Sequence, residues 1–504
     1  MGEIVQELRE ISFKSLVGKE PLTGRGYHST VTLRASLLCL LAALPLAAIP
    51  AENLPDLGDV SQATLSHAQE RGIGFNIMRQ IRQAPSYLDD PEVADYLNQV
   101  GYRLVAVSPD ARQDFHFFAL QDNSVNAFAL PGGYVGVHSG LLLTAQSESE
   151  LAAVMAHEVA HVTQRHIARM VAAQQKQGML SLAAIALAIL AARSNPQAAV
   201  GAIAATQAQA LSNQLAFSRD NERDADRVGV QILERAGFDT HAMPVFLDRL
   251  QRSTRSIETG APSYMRTHPI TYERIADVQG RIYDLPFRQV PDSLEFLLIR
   301  AKLRGQQKDP RDAVAYFDDV ITERKFANET AARYGLVNAL LRARDTTRAA
   351  REMKALTPIA ESHPMLAALQ GRFLLATGRT QQAIDWYRRQ VAAFPNQRAL
   401  VYALAQTLID AKRPMEANAV IDARLQIDPD DGRLYEMQAN AYSALGQNMM
   451  KHRSLAEAYV AEGDLSLAME QLQLALRSNN GDFYEVSGIE ARLRQLRSLT
   501  ARQQ

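Results

Sequence analysis

The stretch LAAVMAHEVAHVTQRH, residues 151–166, decides how the rest of the chain is read. His157 and His161 stand at i and i+4, so a helix places both imidazoles on one face, one turn apart. Two rings so placed can converge on one metal ion, and Glu158 points to the side where the attacking water sits. Leu151, Val154, Met155 and Val162 make the other face apolar. Ser147 is placed to cap the helix and Glu150, three residues on, to complete a capping box. The pattern predicts a zinc hydrolase with Glu158 as general base.

A catalytic zinc takes three protein ligands and keeps one position open. The chain has one cysteine, Cys39, inside an N-terminal leader, so the third ligand is expected to be another residue type. Downstream, Ser218-Arg219-Asp220-Asn221-Glu222-Arg223-Asp224-Ala225-Asp226 is a helix start dense in carboxylates. Glu222 and Asp226 share a helix face. Glu222 suits ligation and Asp226 suits bracing a ligand histidine from behind. On spacing alone Asp220 and Asp224 compete with Glu222.

Around this core the periodicity predicts helices over 62–84 and 92–107, then a strand over 115–120. Ala127-Leu130 and Tyr134-His138 flank Pro131-Gly132-Gly133 and read as two strands joined by a turn. The strand at 126–130 or that at 134–138 is expected to offer an edge along which an extended peptide lies. Helices over 218–236 and 272–283 follow, with a turn-rich stretch at 259–272 that contains Thr267-His268-Pro269. Pro286 and Pro291 mark a linker.

Beyond residue 293 the texture becomes repetitive. Ala349, Ala383 and Ala417 are spaced by 34, as are Gly378, Lys412 and Gly446, and Pro395 and Pro429. A 34-residue period with small residues at packing points predicts tetratricopeptide (TPR) helix pairs that stack to bury their apolar faces. Gly463-Asp464 and Ala468 look like the same turn and contact, but Ala468 lies one and a half periods after Ala417. The fold class is therefore mainly α with a small sheet: a zincin-type metalloprotease domain followed by an α-solenoid of TPR helix pairs. The expected division is a signal peptide or extended leader at 1–51, a metalloprotease domain at 52–286 and a repeat domain at 293–500.

With 504 residues, 47% hydrophobic and 22% charged, the chain has room for more than one core. A net charge of −1 argues against a nucleic-acid partner. Residues 35–49, ASLLCLLAALPLAAI, follow Arg34 and precede Ala51, the pattern of a secretory signal with cleavage between 47 and 52. The 34 residues before it are long for such a segment. Residues 179–192, MLSLAAIALAILAA, are too few for a bilayer span. Together with the Ala-rich sequence to 210 they read as a buried or lid-like helix, or as a hairpin that touches a membrane surface.

The order HEVAH, then NERDAD, then THP resembles the gluzincin metalloproteases with HtpX and Oma-type members. With a secretory leader and C-terminal repeats, the chain is similar to the periplasmic branch that serves β-barrel assembly. The resemblance implies one Zn2+ per chain held by His157, His161 and Glu222, with Glu158 as catalytic base and Asp226 as a catalytic or proton-donating residue. It also implies that His268 is an extra ligand that keeps the enzyme switched off. The implied function is outer-membrane protein quality control in the periplasm. Its partners would be unfolded or misassembled outer-membrane proteins and, through the repeats, the assembly machinery. The competing reading is a TPR scaffold or chaperone whose protease domain is largely latent.

Overall fold

The computed structural model describes residues 65–109, 114–173, 219–254, 263–307, 309–478 and 481–503. The leader at 1–51 and the apolar segment at 179–210 lie outside the described residues. Among the described residues no helix is long and apolar enough to cross a membrane.

Helix α1 (His67–Gln83) starts at a full capping box. Ser66 Oγ accepts from Gln69 N–H, and Gln69 Oε1 accepts from Ser66 N–H. Helix α2 (Pro91–Val105) is capped by Asp90 with Pro91 in its first turn, and it buries the stripe Val93, Leu97, Val100 and Leu104. Strands β1 (His116–Leu120), β2 (Ala127–Leu130) and β3 (Tyr134–His138) form one sheet in the order β1-β3-β2. β2 and β3 pair antiparallel across Gly132 and Gly133, which take φ of +78° and +85°. β1 pairs parallel with β3. β3 is therefore bonded on both sides, and of the two strands expected to offer an edge only β2 does so.

Gly74 of α1 sits on this turn. A Cβ there would lie 1.8 Å from Pro131 O. Gly74→Ala is expected to destabilise the protein by about 1–3 kcal/mol, the usual cost of overpacking. A chemical-denaturation midpoint equal to that of the unsubstituted protein would show that α1 does not depend on this contact.

After the short helix α3 (Ser139–Thr144) comes α4 (Glu148–Thr163), which carries the two-histidine motif. Ser147 Oγ accepts from Glu150 N–H at 3.2 Å. The expected capping box is only half formed, because the Glu150 carboxylate accepts instead from Gln146 N–H and Arg249. Every residue of α4 is buried, not just one face. It runs through the middle of the domain, against α2, β2, α6 (Arg219–Arg235) and α7 (Ala242–Thr254). The helix α5 (His166–Ala173) follows it, and the turn-rich stretch condenses into α8 (Ser263–Thr267) before α9 (Tyr272–Ile282).

The solenoid begins with α10 (Leu294–Gln306), α11 (Pro310–Thr322), α12 (Glu329–Arg342), α13 (Thr346–Leu356) and α14 (Pro364–Ala376). It continues through α15 (Thr380–Ala393), α16 (Arg398–Asp410), α17 (Pro414–Leu425) and α18 (Gly432–Ala444) to α19 (Asn448–Glu462), α20 (Leu465–Arg477) and α21 (Phe483–Gln503). The 34-residue series has a conformational basis. Gly378, Lys412 and Gly446 all take positive φ at the turn within a helix pair, and so does Arg344 one period earlier. Ala349, Ala383 and Ala417, each five residues after such a turn, are fully buried. The irregular step to Ala468 arises because Gly463 takes the same conformation, at φ +82°, at the other end of α19. The tight turn is used there between pairs rather than within one.

A single hydrophobic core runs from α2 and the sheet through α4, α6 and α7 into α10–α14. The junction is also tied by polar contacts. Buried Lys302 of α10 meets Asp90 and Glu92, and Arg398 of α16 donates to Asp95 at 2.9 Å. Glu148, the first residue of α4, accepts from Tyr96 Oη–H and from both N–H and Oγ–H of Ser293, the N-cap of α10. In return Glu148 N–H donates to Asp292 Oδ1 at 2.7 Å.

Candidate metal centre

Helix α4 presents His157 and His161 to α6, which brings Glu222 and Asp226 from its own i, i+4 face. The loop after α8 delivers His268. One donor atom from each of His157, His161, Glu222 and His268 lies within 4.8 Å of the others, and all four residues are buried. His157 Nε2 is 3.0 Å from His161 Nε2 and 3.3 Å from His268 Nδ1. Glu222 Oε1 is 3.0 Å from His268 Nδ1 and 3.4 Å from His161 Nε2. Metal–nitrogen bonds of about 2.0–2.1 Å in a tetrahedron put neighbouring donors roughly 3.3 Å apart. The donor set thus has the chemistry and the spacing of a tetrahedral cation site.

Glu158 is fully buried beside this set, with Oε1 3.4 Å from His268 Nε2. Neither of its oxygens has a hydrogen-bond partner among the described residues. Keeping a carboxylate ionised in a buried setting is costly. Burial pushes its carboxyl above the usual carboxylate range, against the opposing pull of His268 and His157. The backbone of Ala129 in β2 faces it.

Behind the donors stands a polar support. Asp226 Oδ1 lies 3.0 Å from His157 Nδ1. Arg274 of α9 grips Asp226 with two hydrogen bonds of 2.8 Å, pairs with Glu222 Oε2 at 2.7 Å and donates to Pro269 O, next to His268. Burial opposes ionisation of Asp226, but His157 and Arg274 outweigh it and hold the carboxyl below its ordinary value. His166 Nδ1 lies 2.9 Å from His161 Nδ1.

The structure brings His157, Glu158, His161, Glu222, Asp226 and His268 together. Of the competitors for the third-ligand role, Asp220 is exposed and Asp224 turns to Arg227 and His166. Arg274 and His166 were not singled out by spacing. Arg274 sits in an ordinary helical charge pattern, TYER, and its burial depends on how α9 packs. His166 is within the opening motif, but its i+5 offset from His161 gave no reason to pair the two.

A metal site built from helix-borne imidazoles beside a buried glutamate, in a mainly helical domain with a small sheet, is that of a metallopeptidase. A model of peptidase family M48 matches residues 91–282, and a tetratricopeptide-repeat model matches residues 374–441. The chain is 32% identical over 464 residues to the β-barrel assembly-enhancing protease of Escherichia coli, covering 91% of this chain and 94% of that protein. It is 42% identical over 272 residues to the putative β-barrel assembly-enhancing protease of Vibrio cholerae, covering 53% of this chain and 56% of that protein. It is 31% identical over 199 residues to the mitochondrial metalloendopeptidase OMA1 of Schizosaccharomyces pombe, covering 39% of this chain and 55% of that protein. The chain belongs to the M48 family of β-barrel assembly-enhancing proteases.

Proposed function

We propose that this chain is a periplasmic zinc metalloendopeptidase in outer-membrane protein quality control, one that assists β-barrel assembly and degrades misassembled barrels. The observation that carries the reading is the four-donor cluster beside the fully buried carboxylate of Glu158. The names of the relatives support the process and, through it, the compartment. Residues 1–51 serve export, 52–286 the peptidase activity and 293–500 the docking of clients and of the assembly machinery.

His157, His161 and Glu222 hold the zinc ion. When bound, the ion polarises the scissile carbonyl and makes water a better nucleophile at neutral pH. Glu158 takes the proton of the attacking water and returns it to the leaving nitrogen. Asp226 acts through His157, and the contact to Nδ1 supports a bracing role over direct proton donation. An extended client lies along β2, the edge strand beside Glu158, and binds through main-chain hydrogen bonds that read conformation more than sequence.

The latent-scaffold reading is favoured by one observation. His268 reaches both the donor set and Glu158, and each residue of the cluster is at most 2% exposed. We infer that His268 is a regulatory fourth ligand and that this is a resting form, which opens when His268 withdraws.

The test is metal content and cleavage measured together. The purified chain is expected to carry one zinc, and chelation is expected to stop its cleavage of an unfolded β-barrel protein until zinc is restored. Glu222→Gln is expected to lose most of its bound zinc. Cleavage that survives chelation would defeat the proposal, and full zinc content in Glu222→Gln would remove that residue as a ligand.

A further inference from the structure

The support behind His161 differs in kind from that behind His157. His157 is backed by a carboxylate, His161 by a second imidazole. Helix α4 ends at Thr163. Arg165 then takes a positive φ of +54°, and its side chain is anchored by donation to Leu65 O at 2.6 Å. This left-handed residue turns the chain back, so that His166 at the start of α5 lies under the residue five positions before it. His166 is fully buried. Its Nδ1 is 2.9 Å from His161 Nδ1, with the two ring planes at 79°. Its Nε2 is 3.4 Å from Asp224 Oδ2, and Asp224 is itself held by Arg227 at 2.6 Å.

Two ring nitrogens at that distance require one proton between them, carried by one and accepted by the other. His161 turns its Nε2 toward the donor cluster, where a ligating nitrogen must offer a lone pair. A neutral His161 therefore carries its proton on Nδ1 and donates it to His166 Nδ1. His166, neutral as well, carries its proton on Nε2, directed at the Asp224 carboxylate. The direction of every bond in the relay follows from the role of the first nitrogen.

We propose that His166 is a positioning residue for metal binding. By accepting from Nδ1 it fixes both the tautomer and the ring orientation of His161, with Asp224 orienting His166 in turn. The inference rests on the reading of His157, His161 and Glu222 as zinc ligands. Removing an outer partner of a ligating histidine weakens metal binding by about 10–100-fold.

The experiment uses the full chain. Zinc affinity is measured by competition with a chromogenic chelator, and site geometry by the visible absorption of the cobalt(II)-substituted protein. His166→Phe is expected to weaken zinc by about 10–100-fold and to shift the cobalt bands. His166→Asn places an amide oxygen where Nδ1 stood, and it is expected to restore most of the affinity and the original spectrum. Asp224→Leu, at a part-exposed position, is expected to weaken zinc by a smaller factor and serves if His166→Phe does not fold. Equal affinity and an unchanged spectrum in His166→Phe, or in Asp224→Leu where that variant stands in for it, would overturn the proposal. So would an Asn variant as weak as the Phe variant. An unsubstituted protein that binds no zinc would instead overturn the ligand assignment, which separates the two failures.

Discussion

Glu158→Gln is expected to lose about 10²–10⁴-fold in the rate of peptide-bond cleavage, the usual contribution of a positioned general base. The zinc content, the fold and the binding of partners to the repeats are expected to stay as they are. Gln has the shape of Glu but no basic oxygen, and its amide oxygen can face the Ala129 backbone as the carboxylate does. Replacing a buried carboxylate by a neutral amide relieves a desolvation cost and gives up the 3.4 Å contact with His268, so the variant is expected to be close to the parent in stability. The measurement is cleavage of an unfolded β-barrel protein alongside thermal denaturation and metal analysis. Cleavage at the parent's rate would refute the base assignment. Lost partner binding would show that the substitution disturbs more than the chemistry.

Arg274→Met is expected to destabilise the protein by about 3–5 kcal/mol, the cost of removing one partner from a buried ion pair. Arg274 is 3% exposed and pairs with both Glu222 and Asp226. Without it two carboxylates stay in a dry interior, and the loop carrying His268 loses its tie through Pro269. The pH dependence has a definite sign. Asp226 has its pKa lowered by folding, so the stability it contributes is complete above its unfolded value and is lost as pH falls through the folded one. In the variant the Asp226 carboxyl loses the Arg274 part of that lowering and takes up its proton sooner. The deficit is therefore expected to be largest at neutral pH and to shrink on acidification. Urea midpoints of parent and variant, compared at neutral and mildly acidic pH, check this. A deficit that grows toward acid would show that Arg274 does not act by neutralising these groups.

Much of this site could be read along the chain because helical spacing is a local property. The i, i+4 pairs His157/His161 and Glu222/Asp226 share faces whatever surrounds them. His268 entered only through the resemblance of the THP segment, since a single loop histidine carries no spacing of its own. Arg274 was hidden because the packing of α9 on α6, not its own helix, brings it to the carboxylates. His166 was hidden by the assumption that a helix continues. The left-handed Arg165 breaks that assumption, and an arginine does not advertise a positive φ. The repeats show the same effect. Glycines at 378 and 446 announce their turns, whereas Arg344 and Lys412 adopt the same conformation without the residue type that signals it. The half-period slip at Gly463 was visible as an irregularity, but its cause lay in the backbone.

The bonds that cross between Glu148 and the Asp292-Ser293 pair bear on how the molecule responds to load. The helix holding both imidazoles and the first helix of the repeat array are each other's end-caps. Torque applied to the array by anything it grips is thus delivered straight to the backbone that aims the two rings, with no slack tether to absorb it. The two halves share one core and one pair of end-caps and cannot be treated as beads on a string.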